Sequence, residues 1–329
     1  MASLTSADRM TYLSAEEIKE LKRASNAKAF VSFIFNWLLI ASAFSLVAIE
    51  PNVVTVILAL FILGGRQLGL GILLHECSHR SYFSTPRLND FFGHWFAGLA
   101  VLTPMSFYRP YHFQHHTKTG TELDPDLKNI EQYPVTKKSM ARKLKRDLVG
   151  LSGIKMLLSM LIYVIPERSG DSGTMGVNRE RATGDDATVA LSRAVKNFSH
   201  TFIFHSLFFC IFFLLDVPWL YGLWWLAYVF TYPVILRVRQ IGEHAAMPAL
   251  ASDDVRETTR TTLASWWERL LFAPNYVNFH CEHHLMPTIP SYNLSRMSSM
   301  LRKRGFYEGK EYALADGGYL QVLRIASSA

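Results

Sequence analysis

Four apolar runs restrict what this chain can fold into more than any other feature. They are "AFVSFIFNWLLIASAFSLVAI" (29–49), "NVVTVILALFILGGRQLGLGILL" (52–74), "FSHTFIFHSLFFCIFFLL" (198–215) and "WLYGLWWLAYVFTYPVIL" (219–236). Each approaches the roughly 20 residues that a helix needs to cross a hydrocarbon core of about 30 Å. Lipid offers an open backbone no partner, and continuous runs this long are not barrel strands, so four transmembrane helices are expected. Only "EP" separates the first two runs and only "DVP" the last two, which predicts two helical hairpins. Half of the 329 residues are hydrophobic and the mean hydropathy is +0.12, more apolar than an ordinary soluble domain.

Charge sets the expected orientation. Neither tight turn contains Lys or Arg, whereas the N-terminal arm, residues 76–196 and residues 237–329 hold nearly all the basic residues. The positive-inside bias then puts both termini and the polar segments in the cytoplasm, under a bacterial inner membrane or an endoplasmic reticulum membrane. The net charge of +7 describes a cytoplasmic helical cap whose neighbour is the bilayer, not nucleic acid. Trp219, Tyr221, Trp224 and Trp225 read as an outer aromatic belt. The N-terminus shows no cleavable signal and reads as a short helix capped by Ser14 before Glu17. Cys77, Cys210 and Cys281 make no disulfide framework and suit small core positions. The whole chain, 1–329, reads as one domain. Residues 150–165 are apolar but short and read as an interfacial segment; residues 167–193, rich in Gly, Ser and Thr, read as a flexible connection.

The polar segments carry histidines in a repeated pattern. "HECSH" holds His75 and His79, "HFQHH" holds His112, His115 and His116, "EH" holds His244, and "HCEHH" holds His280, His283 and His284. The four-helix topology brings all nine to one membrane face. Positions i and i+4 share a helix face, so His75 and His79 aim together, as do the outer members of each HxxHH box. Adjacent residues such as His115 and His116 diverge by about 100°, so a helix offering both most simply sends one to each of two metal ions. Such a site has four or five imidazoles per metal, more than four-coordinate zinc uses, and imidazole-rich sites suit iron. Glu76, Asp124, Asp126, Glu243 and Glu282 lie beside these histidines in sequence. They are candidates to accept the ring N–H that faces away from a metal. His94, His200 and His205 lack such company and read as packing or hydrogen-bonding residues.

"HECSH", "HFQHH" and "HCEHH" resemble the three histidine boxes of the membrane fatty acid desaturase and hydroxylase superfamily, and their order and separation match. "ELDPD" (122–126) and "RQIGEH" (239–244) are similar to further features of that family. The resemblance runs from the first apolar run to about residue 306. It implies a non-haem di-iron centre that uses O2 to remove hydrogen from an unactivated C–H bond of a lipid chain. The family also places a water-holding Asn four residues before the lone His; here Gln240 stands in that place, as a possible water-mediated ligand. The three residues inside the first box favour an acyl-lipid or sphingolipid-like relative over acyl-CoA desaturases, and His280 at the head of the third box disfavours front-end activity. Without an "HPGG" stretch, electrons are expected from a separate ferredoxin or cytochrome b5.

Other readings remain open at this point. A hydroxylase or ketolase would use the same residues. "HECSH" also satisfies HExxH, the pattern of zinc proteases, although that leaves two boxes unexplained. A metal transporter should carry polar residues through its spans. For the preferred reading, a narrow, bent hydrophobic tunnel is expected beneath the histidines. The basic run "KKSMARKLKRD" (137–147) suits anionic headgroups or an acidic electron donor, and Arg66 with Gln67 interrupts the second run with no evident role.

Overall fold

Local signals start and stop the helices largely where the sequence places them. A computed structural model describes residues 11–164 and 187–329; most of the 167–193 connection lies outside the described residues. Helix α1 (Ala15–Leu21) opens with a capping box in which Ser14 Oγ accepts from the Glu17 amide and Glu17 accepts from that of Ser14. Helix α2 (Asn26–Ile49) and helix α3 (Val53–Ser78) are joined by the short turn at residues 50–52. There Asn52 Oδ1 accepts from the amides of Val54 and Thr55, which no helical carbonyl can reach.

After α3 come α4 (Pro86–Gly93), α5 (Met105–Lys118), the single turn α6 (Leu127–Ile130), α7 (Lys137–Leu148) and α8 (Leu151–Val164). Helix α9 (Ala187–Leu214) and α10 (Pro218–His244) follow, the latter containing a π turn at Ala227–Thr231. The C-terminal region holds α11 (Val255–Thr258), α12 (Trp266–Leu271), α13 (His280–Leu285), α14 (Ser291–Lys303) and α15 (Gly318–Ala326). One departure from an all-helical chain is a two-residue parallel ladder, β1 (Thr261–Thr262) with β2 (Leu314–Ala315).

Among the described residues four helices are long and apolar enough to cross a membrane: Asn26–Ile49, Val53–Ser78, Val195–Leu214 and Pro218–His244. The second and fourth run beyond their apolar sequence, because nothing breaks their hydrogen bonding until Arg80 and Ala246 take positive φ. That extension is what carries His75 and His244. Helix α3 is the most enclosed span and α9 the least. Within each sequential pair the helices touch. Gly69 of α3 lies against Asn36 of α2, and Phe208 of α9 meets Trp224 of α10 edge-on at 5.4 Å. That contact revises the aromatic belt. Trp219 is exposed, but Trp224 is fully buried because its turn of α10 faces α3 and α9, and its carbonyl accepts from Gln67.

Arg66 is also enclosed, at 2% exposure. Its Nη1 donates to Asn36 Oδ1 at 3.1 Å and its Nη2 to the Leu270 carbonyl at the end of α12. Asn36 donates in turn to Asn275, whose amide donates to the Gly69 carbonyl at 2.8 Å. The charge therefore neither snorkels nor pairs with a carboxylate; it fastens the segment leading to the third histidine box onto two membrane helices. Cys77 and Cys281 are buried in separate apolar clusters, and Cys210 is exposed on α9.

Candidate metal centre

Nine histidines arrive from four helices. His75 lies in the last turn of α3, with His79 as its cap. Helix α5 presents His112, His115 and His116, His244 ends α10, and α13 presents His280, His283 and His284. Their ring nitrogens form two groups: His75, His79, His112, His116 and His283 in one, His115, His244, His280 and His284 in the other. Within each group the nitrogens lie within 4.8 Å of one another. Adjacent pairs separate, His115 from His116 and His283 from His284, as the 100° step per residue dictates.

The spacing fits a shared ion. His112 Nε2 lies 2.8 Å from His79 Nε2 and 2.9 Å from His116 Nε2, while His116 Nε2 lies 3.0 Å from that of His283. In the other group His280 and His244 approach at 2.8 Å. Two nitrogens held at right angles about 2.1 Å from one ion stand about 3 Å apart. The Nε2 atoms of His75 and His284 are buried without a hydrogen-bond partner among the described residues, a condition a metal would relieve. Burial also keeps the rings neutral. His79 falls to about 4 through desolvation and the nearby Arg109, and burial followed by neighbouring histidines pushes His112, His116, His280, His283 and His284 well below the usual value. Neutral imidazole is the ligating form. His115 differs: burial pulls it down, but the hydrogen bond and charge of Asp124 outweigh burial and raise it.

The candidate carboxylates divide by where their helices point them. Glu76 lies 2.9 Å from His75 Nδ1 and also accepts from the Ser291 amide at 2.8 Å. Asp124 lies 2.9 Å from His115 Nδ1, with Asp126 further off at 3.7 Å. Glu243 stands 3.6 Å from His280 Nδ1 and pairs with Arg239 one turn earlier. Glu282 does not orient a ring; it accepts from Tyr307 at 2.7 Å and from Thr261. The reason is angular, since position 282 points to the opposite side of α13 from 280, 283 and 284. Sequence reading also missed the Thr258 carbonyl, 2.9 Å from His244 Nδ1, and Tyr111, which donates to Asp126 at 2.6 Å. No motif marks a backbone carbonyl, although the Arg239–Glu243 spacing was legible as an i,i+4 pair. His94 and His200 bond each other at 2.9 Å, and His205 bonds Tyr221 and the Leu99 carbonyl, so these three serve packing.

A chamber of about 90 Å³ reaches the histidines, lined by His75, His112, His115, His244 and His280 and by Gln240. Leu68, Ile72, Val101, Leu236 and Tyr232 contribute to its lining. The chamber is well below the roughly 300 Å³ at which small-molecule sites begin, so the expected tunnel is present only as a short vestibule. The larger apolar cavity, about 810 Å³, lies instead between α2, α4 and α9, and none of the nine histidines lines it.

The pattern of the family described as fatty acid desaturase matches residues 51–313. Curated relatives agree. The sn-1 oleoyl-lipid 12-desaturase of Anabaena variabilis is 26% identical, over 87% of this chain and 79% of its own length. The enzyme of the same name from Picosynechococcus sp. is 23% identical, over 84% and 77%. Dihydrorhizobitoxine desaturase of Bradyrhizobium elkanii is 23% identical, over 80% and 69%. Gathered histidines, apolar helices long enough to span a bilayer and a match over most of the length lead to one assignment: this chain belongs to the fatty acid desaturase family and is a membrane oxidoreductase.

Proposed function

We propose that the protein is an O2-dependent di-iron desaturase that introduces a double bond into the acyl chain of a lipid. The observation that carries this reading is the division of nine imidazoles, six buried and three partly buried, into two close groups. His75, His79, His112, His116 and His283 would hold one iron, and His115, His244, His280 and His284 the other. Gln240 lies one turn before His244 of the four-imidazole group and lines the chamber that both groups share, which makes it the candidate to hold a water for that iron. When bound, the two irons supply the oxidising power that O2 alone lacks toward a C–H bond.

The protein's own residues do the rest. Glu76, Asp124 and the Thr258 carbonyl fix three of the rings from behind, so that the nitrogens of His75, His115 and His244 that face the ions are set by the fold, while Glu243 stands near His280 without bonding it. Apolar side chains of the chamber wall, Leu68, Ile72 and Leu236 among them, exclude water and meet a methylene chain with like surface. Because the vestibule is short, these side chains must part to admit a substrate. The zinc-protease reading is disfavoured, because Glu76 is buried between His75 and the Ser291 amide and is not free to hold a water.

The acyl-lipid substrate is supported by two relatives named for oleoyl lipids; the third is named for a different substrate, so desaturation is common to all three. Electrons would come from a separate ferredoxin or cytochrome b5, and the histidine face with both termini would lie in the cytoplasm. The test is lipid mass spectrometry of a host expressing the protein. Desaturation gives acyl products two mass units lighter, and His280→Ala abolishes them. Products heavier by sixteen would make the protein a hydroxylase, and products undiminished in the variant would remove the metal assignment.

A further inference from the structure

The basic run at 137–147 has no part in the histidine centre, and its placement is informative. Helix α7 turns its buried face, Met140, Leu144 and Asp147, toward α10 and α15. Lys138, Arg142, Lys145 and Arg146 fall on the opposite, exposed side, at the spacing that aligns them into one stripe. Among the described residues no carboxylate pairs with Lys138, Arg142 or Lys145. The acid within the run, Asp147, is buried and bound by Arg237 and Ser152, so it contributes little to that surface; its contact with Arg146 is a loose 3.6 Å.

Immediately beyond the stripe the exposed surface changes character. Leu148, Val149, Leu151, Ile154 and Leu158 are each about half exposed, an unusual density for a face meeting water. Their depth follows from what they pack beside. Asp147 is tied to Arg237, whereas Gly150 and Gly153 press on Val229 and Phe230 of the same helix. From Arg237 to Val229 is eight residues, about 12 Å along a helix axis, in the direction away from His244 and into the apolar part of α10. The chain thus presents cations at the histidine end of a membrane helix and bare aliphatic side chains one headgroup layer lower.

We propose that the α7–α8 corner is a binding surface for anionic phospholipid. Lys138, Arg142, Lys145 and Arg146 meet the phosphate layer, while Leu151, Ile154 and Leu158 enter the acyl layer beneath. Cations set one headgroup layer above aliphatic side chains that pack beside a membrane span lie at phosphate depth, which favours lipid phosphate over an acidic electron-transfer protein docking from water. The assignment does not depend on which reaction the metal centre performs.

The test uses the full chain purified in mixed micelles and titrated with phosphatidylglycerol or phosphatidylcholine, with bound lipid counted by native mass spectrometry. Wild type should retain phosphatidylglycerol in preference to phosphatidylcholine. At roughly fivefold per charge near a membrane surface, K138E/R142E/K145E should lower that preference by about 100-fold or more. The exposed pair R302E/K303E on α14 should leave it unchanged, and circular dichroism of each variant reports the fold. Absence of any preference in wild type overturns the proposal. So does a K138E/R142E/K145E protein that keeps its lipid preference while requiring more ferredoxin for half-maximal turnover, since the surface then belongs to a protein donor.

Discussion

Tyr307 shows how a residue outside every motif supports the centre. Its hydroxyl donates to Glu282 at 2.7 Å in full burial, on the side of α13 turned away from the histidines. Tyr307→Phe removes that donor and keeps the ring. The loss of one buried hydrogen bond to a carboxyl group is expected to lower stability by about 1–3 kcal/mol, read as a shift in denaturation midpoint in detergent. At the surface, the Arg304 hydrogen bond holds the Glu17 carboxyl down at about 2, and Arg296 lowers Glu20 likewise. A depressed folded-state value means the contribution is present above the unfolded value of 4.5 and fades as the pH drops toward 2. Protection of the α1 amides, corrected for intrinsic exchange, should therefore fall between pH 5 and pH 2.5, and should already be low at pH 5 in Arg304→Ala. The positions of these partners were not legible in the sequence, because Tyr307 and Arg304 lie 25 and 287 residues from the groups they serve.

At the scale of elements, close backbone approach decides which glycines matter. A Cβ on Gly153 would meet the Val229 carbonyl oxygen at 2.2 Å, where α8 crosses the π turn of α10. Neither backbone can yield cheaply, so Gly153→Ala is expected to cost about 1–3 kcal/mol. Gly222, with nothing within 4 Å, is the contrast. There alanine relieves the conformational entropy of a helical glycine and should raise stability by roughly 0.5–1 kcal/mol. Thermal unfolding of the two variants in the same detergent tests both signs. The start of α1 was readable from Ser14 and the four spans from their apolar runs, although α9 and α10 extend beyond theirs. The burial of Trp224 was not, because an aromatic near a span end looks the same in sequence whether it faces lipid or a neighbouring helix.

For the whole molecule, the two histidine groups make an experiment possible that single positions do not. His115 and His116 are neighbours in sequence but belong to different groups. Under the proposed assignment each alanine variant should lose about one of two bound metals, measured by elemental analysis per chain, and the double variant both. Loss of both metals from either single variant would mean one cooperative site instead of two. The sequence by itself determined that this chain has four apolar helices and that its histidines come in boxes whose i, i+4 members face together, because helical periodicity and bilayer thickness are local constraints. Only the tertiary structure decided which boxes share a group, that Glu282 turns away while the Thr258 carbonyl steps in, and that the two terminal nitrogens of Arg66 bond neutral oxygens. Those outcomes depend on how separate helices pack in space, and the repeat within a single helix carries no information about its neighbours.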